Sequence, residues 1–151
     1  MELVKKYKHR KDVEFIVIGP YMPSQNKIFK EFENLETIGK VEHSQMPNYL
    51  NKIDIFIGQG IVAKEAMSCG CLTILNQIDE RLLTYHKPEL ENGTMLKGDI
   101  FTLVEKFINK PELIKKQSDK TVKFIRENYS LDLIVRKTID VYEEITNSSK
   151  H

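Results

Sequence analysis

The chain has 151 residues, 40% apolar and 30% charged, which is the length of one domain; 23 Lys and Arg against 22 Asp and Glu leave a formal net charge of +1. That balance gives no electrostatic reason to expect nucleic acid or an anionic membrane as partner. No apolar run approaches the roughly 18 residues of a membrane span, and the start, Met1-Glu2-Leu3-Val4-Lys5-Lys6, lacks the apolar core of a signal peptide. The expectation is a cytoplasmic globular domain over residues 1–146, with 147–151 as a fraying tail.

Taken in chain order, Glu2 to Arg10 reads as the end of a helix. Val13 to Gly19 is nearly all apolar, β-branched and stopped by Gly19-Pro20, which predicts a parallel-sheet strand buried on both faces. Ser24 is placed to cap a helix through about Asn34. Glu36 to Gly39 predicts a short strand, and Met46 to Leu50 a short helix. Ile53 to Gly58 is the second buried strand, Gly58-Gln59-Gly60 the turn, and Ile61 to Ser68 a helix ended by a left-handed Gly70. Leu72 to Leu75 is the next strand. The segment from Asn76 to Lys97 shows no clear period beyond a short helix at Leu82 and Leu83 and a turn at Asn92-Gly93. Asp99 caps a helix whose apolar residues, Ile100, Leu103, Val104, Phe107 and Ile108, share one face. Pro111 opens a helix to about Asn128. Ser130 starts a last one, with Ile134, Val141, Tyr142 and Ile145 on one face. Strands alternating with helices predict an α/β fold with a parallel sheet.

Cys69 and Cys71 are too few for a disulfide framework. His9, His43, His86 and His151 are scattered without ligand spacing, so no metal site is expected and the thiols read as small buried apolar groups in a reducing compartment.

The chemistry concentrates in Ile53 to Leu75. Two glycines at a strand-to-helix turn let backbone approach a ligand, and the helix start offers unpaired N–H groups and a positive dipole end, which suits phosphate. A tight turn with no ligand is the competing reading. Glu65 lies a little over one turn into a helix that is apolar on most faces. A carboxylate there needs a partner, and at that height it can reach a ribose; alternatively it points to solvent beside Lys64. His43 reads either as a general acid–base or as a solvated loop histidine. Tyr85-His86-Lys87-Pro88 is a candidate sugar contact. Asp79-Glu80-Arg81 and the lysines Lys115, Lys116, Lys120 and Lys123 read as solvated surface.

Glu65-Ala66-Met67-Ser68-Cys69-Gly70 and the strand after it resemble the "EAMA-CG-PV" signature of GT-B-fold glycosyltransferases, in the retaining class of group 1, family four, related to glycogen and sucrose synthases. The likeness extends over Phe15 to Gly19, Asn34 to Val41, Met46 to Leu50 with Asp54, Asn128 to Leu131, and Val141 to Ile145. It implies a Rossmann-like, three-layer domain, the C-terminal donor-binding half of a GT-B enzyme that moves a sugar from a nucleoside diphosphate to a glycan, lipid or small acceptor. By position, Glu65 would bond the ribose hydroxyls. The amides of Gly60, Ile61 and Val62 would hold the diphosphate. Lys40 and Val41 would lie against the base, and Gly19 would end the first strand at the cleft. Gln59 and Gly58 would stand near the sugar.

The nucleotide sugar is a substrate, and neither cofactor nor metal is implied; catalytic residues are not assigned. Three departures stand out. Ile57 occupies the position of the family's second acidic residue. The opening "G-R…K-G" strand and loop, whose Arg and Lys neutralise the diphosphate, has no counterpart. The acceptor domain is also absent, so turnover would require a partner domain or chain, and that partner would be the route to any membrane surface. The rival readings are a non-catalytic nucleotide-binding or assembly module and a flavodoxin-like regulatory domain. The second would want an acidic cluster where Gly19-Pro20-Tyr21 stands.

Overall fold

A computed structural model describes residues 1–20, 28–76 and 80–148. The expected Ser24 cap, Asp79 and positions 149–151 of the expected tail lie outside them. The elements follow in chain order: α1 (Glu2–Tyr7), β1 (Phe15–Ile18), β2 (Leu35–Ile38), a single 3-10 turn (His43–Gln45), α2 (Met46–Leu50), β3 (Ile55–Gly58), α3 (Ile61–Ser68), β4 (Leu72–Leu75), α4 (Glu80–Tyr85), α5 (Lys87–Asn92), β5 (Met95–Leu96), α6 (Ile100–Ile108), α7 (Pro111–Tyr129) and α8 (Leu131–Ser148).

All strand pairing is parallel, as the unbroken apolar runs require. It forms two sheets, β1–β2 and β3–β4–β5. Pairing runs Phe15 to Leu35 through Ile18 to Ile38 in the first, and Ile55 to Leu72 through Gly58 to Leu75 in the second. Only β4, central in its sheet, is buried at every residue; β1 and β3 are half-buried throughout. The expectation of full burial for those two strands is corrected here. Each pairs with one neighbour only, so its other edge lacks a flanking strand among the described residues.

Strand alternation divides the core. Leu72 and Ile74 of β4, with Ile55, Ile57 and Leu96, pack against Tyr7 of α1 and Val104 and Phe107 of α6. On the opposite face Leu75, Met95 and Phe56 pack against Ala63 and Met67 of α3 and Phe124, Ile125 and Tyr129 of α7. Helices thus cover both faces of the three-stranded sheet, an α/β arrangement compatible with a three-layer Rossmann-like fold. β1 joins the first cluster through Phe15. Asn34 ties it down by donating from Nδ2 to the carbonyls of Tyr7 and Val13 at 3.1 and 3.2 Å.

Local chemistry ends the helices where expected. Gly70 takes φ +88°, and the Cys71 and Gly70 amides reach back to the Ala66 and Met67 carbonyls at 2.9 and 3.1 Å. That pattern is a Schellman cap, and it turns the chain directly into β4. Asp99 caps α6, its side chain accepting from the Thr102 amide at 2.7 Å. The hard-to-read segment resolves into α4, α5 and the two-residue β5. α5 ends at a left-handed Gly93, and α7 holds the following turn through Gln117 to the Gly93 carbonyl, Lys120 to the Asn92 carbonyl and Thr121 to the Thr94 carbonyl. Lys120 is therefore a tether as well as a surface group. α8 continues through Asn147 to Ser148 and buries none of its residues.

Candidate functional site

The turn after β3 is built as its glycines require, but the two serve different ends. A Cβ on Gly58 would stand 2.5 Å from Phe56 Cε1, so its small size makes room for a core ring. Gly60 takes φ +72° and ψ −154°, a conformation closed to most side chains, and a Cβ there would meet nothing within 4 Å. Its openness faces outward, at the carboxyl end of a parallel strand, where ligands of open α/β sheets bind. α3 begins at the next residue. Ile61 is 69% exposed, Gln59 is exposed, Val62 is half-buried, and Ala63 bonds back to the Gly60 carbonyl at 3.2 Å.

Glu65 stands above this turn with its side chain 25% exposed, and its carboxylate lies 3.5 Å from His43 Nδ1. His43 opens the 3-10 turn after β2, so the loop carrying Lys40 and Val41 reaches the Glu65 side of α3. Lys40 is exposed and Val41 half-buried. Gly19 closes β1 at φ +126° and donates to the Gly39 carbonyl at 2.9 Å. Two of the sequence candidates, Glu65 and His43, are thus in contact, and Gly19 sits beside the residue that precedes Lys40. Ile57 lies in β3 and packs into the core, so it offers no polar group.

His86 belongs to the segment Tyr85 to Pro88, a candidate sugar contact in the sequence. It is instead fully buried, and its Nε2 accepts the Gly60 N–H at 3.2 Å. The acceptor role fixes the neutral tautomer with the proton on Nδ1. Nδ1 stands 3.8 Å from Glu89 Oε2, without a hydrogen-bond partner. Burial, followed by the opposing charges of Glu89 and Lys64, leaves the ring below the ordinary histidine pKa.

Glu89 is itself fully buried, and Lys64 Nζ answers it at 3.2 Å. The ammonium lies between the Tyr85 and Tyr129 rings, 4.3 Å from each centroid. The Tyr129 phenol is pushed up, first by burial and then by Glu89. This cluster ties α3, α4, α5 and α7 together directly beneath the turn. Sequence reasoning missed Lys64. Its one signal is a cation in a helix otherwise apolar on most faces.

Two open depressions lie away from the turn, one on α7 between Asp119 and Glu127 and one among Leu83, Lys87, Leu90 and Lys97. Among the described residues, no group of three or more His, Cys, Asp or Glu is arranged to hold a metal ion, and no helix is long and apolar enough to cross a membrane. No family model matches the chain, and neither a curated protein nor a solved structure matches it.

Proposed function

We propose that this chain is the donor-binding domain of a GT-B-fold glycosyltransferase, one that transfers a sugar from a nucleoside diphosphate carrier to a glycan, lipid or small acceptor. The observation that carries the reading is the contact of Glu65 with His43 above an open Gly60 at the carboxyl end of β3. It gathers a phosphate-type turn, a carboxylate of ribose-binding height and the loop after β2 onto one ledge. In this reading the N-terminus of α3 stabilises the departing diphosphate through the Ile61 and Val62 amides, and Glu65 holds the ribose hydroxyls. His43, 83% exposed at its side chain, swings aside or joins the same hydroxyls. An acceptor comes from a partner domain or chain.

A second reading, a nucleotide-binding module without turnover of its own, draws support from Ile57. The acidic residue that the resemblance wants against the sugar is replaced by a side chain packed in the core. Calorimetric titration with UDP, GDP and ADP tests both. One of the three binds, and Glu65→Ala weakens it by about ten- to a hundredfold, the equivalent of about 1.5–3 kcal/mol for a hydrogen bond to a charged group. Absence of binding to all three would overturn the donor-site reading. Binding without sugar transfer or hydrolysis of the matching nucleotide sugar would favour the second.

A further inference from the structure

We propose that α8 is a self-association helix: two copies of this chain pair through its exposed apolar face, antiparallel, crossing near Asp140. The inference stands apart from the nucleotide reading above, and neither depends on the other.

Leu131, Ile134, Val135, Ile139, Val141 and Tyr142 are each between 47% and 75% exposed. At helical spacing all six fall on one arc of about 160°. Leu133, the only half-buried residue of α8, falls on the opposite side, and α7 is the element that α8 mainly contacts. The stripe is thus turned away from the fold. Its six side chains expose on the order of 700 Å², above the roughly 300–600 Å² of the largest apolar patch on a typical monomer and close to the roughly 800 Å² that each partner buries in a standard interface. A face of that size and length suits one more helix of the same kind.

The charges flanking the stripe select a second copy and set its direction. One rim carries Arg136 and then Glu143; the other carries Lys137 and then Glu144. Each rim is therefore basic first and acidic later. A two-fold axis across the helices makes them antiparallel and lays each rim against its own counterpart. With the crossing near Asp140, Arg136 comes opposite Glu143 of the second copy and Lys137 opposite Glu144, each pair occurring twice. Asp132 falls opposite Asn147, and Asp140 lies behind the seam. A parallel pair would instead lay one rim against the other at equal height, with Arg136 facing Lys137 and Glu143 facing Glu144, all like charges. Pairs on a wet rim contribute little strength, so the apolar seam supplies affinity and the charges supply register.

The test is sedimentation velocity on the full chain from about 5 to about 500 µM, where a small interface of one helix per copy gives a monomer–dimer equilibrium with Kd on the order of 1–100 µM. A dimer this weak adds little to stability at micromolar protein, so it shows in mass rather than in Tm. Ile139→Glu, at a position 50% exposed, stays monomeric throughout. Arg136→Glu with Lys137→Glu sets like charges against each other at all four contacts and weakens the dimer by about tenfold or more. Adding Glu143→Lys and Glu144→Lys to the same chain restores it. Circular dichroism checks that each variant keeps its helix content. A wild-type chain that is monomeric at the highest concentration overturns the proposal and leaves the stripe to a different partner. So does an assembly larger than a dimer, or a dimer that Ile139→Glu leaves intact. A dimer lost in Ile139→Glu but indifferent to the charge changes overturns the antiparallel pairing. The wild-type dilution series and the four-residue rescue keep the test decisive if one variant fails to fold.

Discussion

Gly58 and Gly60 look alike in the sequence, and their environments separate them. One makes room for Phe56 and the other holds a left-handed conformation over open space. Cys69 and Cys71 divide in the same way. Cys71 is fully buried, its Sγ donating to the Leu50 carbonyl at 3.3 Å, and burial, then the charges of Cys69 and Asp54, push its thiol up to about 12. Cys69 is half-buried and raised less far, by burial and then by Glu65. Thiolate is the reactive form, so in the folded protein a thiol reagent at mildly alkaline pH labels Cys69 slowly and Cys71 not at all, as peptide mass analysis will show. Denaturant exposes both. Because the Cys71 thiol is raised in the folded state, its contribution to stability is complete below the ordinary thiol pKa and is lost as pH rises beyond it. Melts recorded from neutral pH upward should decline, and Cys71→Ala should decline less steeply.

At the scale of elements, the Lys64–Glu89 pair fastens α3 to α5. Lys64→Met leaves a fully buried carboxylate with no cation and should cost about 3–5 kcal/mol in denaturant unfolding, the usual penalty for breaking a buried pair. Lys64→Met with Glu89→Leu removes both charges and should recover most of that loss. If the double variant is as unstable as the single one, the pair is not what Lys64 contributes. The strands β1, β3 and β4 and the helices α3, α6 and α7 were legible in the sequence because apolar period and end signals agreed. Phe15 to Ile18 is a β-branched run stopped by glycine, and Asp99 and Gly70 mark helix ends. α5 and β5 were not legible. Six residues and two residues are too short for a period to emerge, and their placement depends on Gln117, Lys120 and Thr121 of α7 reaching back to their carbonyls. The site divides similarly. Glu65 stood out as a carboxylate among apolar neighbours. His86 carried no local sign of its bond to Gly60, 26 residues away.

Across the whole molecule, burial is concentrated on β4 and falls toward β1 on one side and α8 on the other. α8 leaves Leu131 at 75% and Tyr142 at 67% exposure, along with Ile134, Val135, Ile139 and Val141, and none of its residues is buried. Its apolar stripe follows helical spacing, as Ile134, Val141, Tyr142 and Ile145 suggested, but the core does not receive it. Its helix rests on α7 alone for its main contacts. A chain ended after Ser130 should therefore keep the melting transition of the remainder within a few degrees, since local stability follows buried contacts. A large fall in Tm on that truncation would mean that α8 supports α7 more than its exposure indicates.

The central claim is that a nucleoside diphosphate sits on the Gly60 turn with Glu65 above it. Amide resonances followed during titration with UDP, GDP and ADP address it most directly, because they report position as well as affinity. The account predicts that one nucleotide shifts Gly60, Ile61 and Val62 at the start of α3 and Lys40 and Val41 after β2, with α8 unmoved. Shifts confined to α7 or to the α4–α5 surface, or none with any of the three nucleotides, would contradict it.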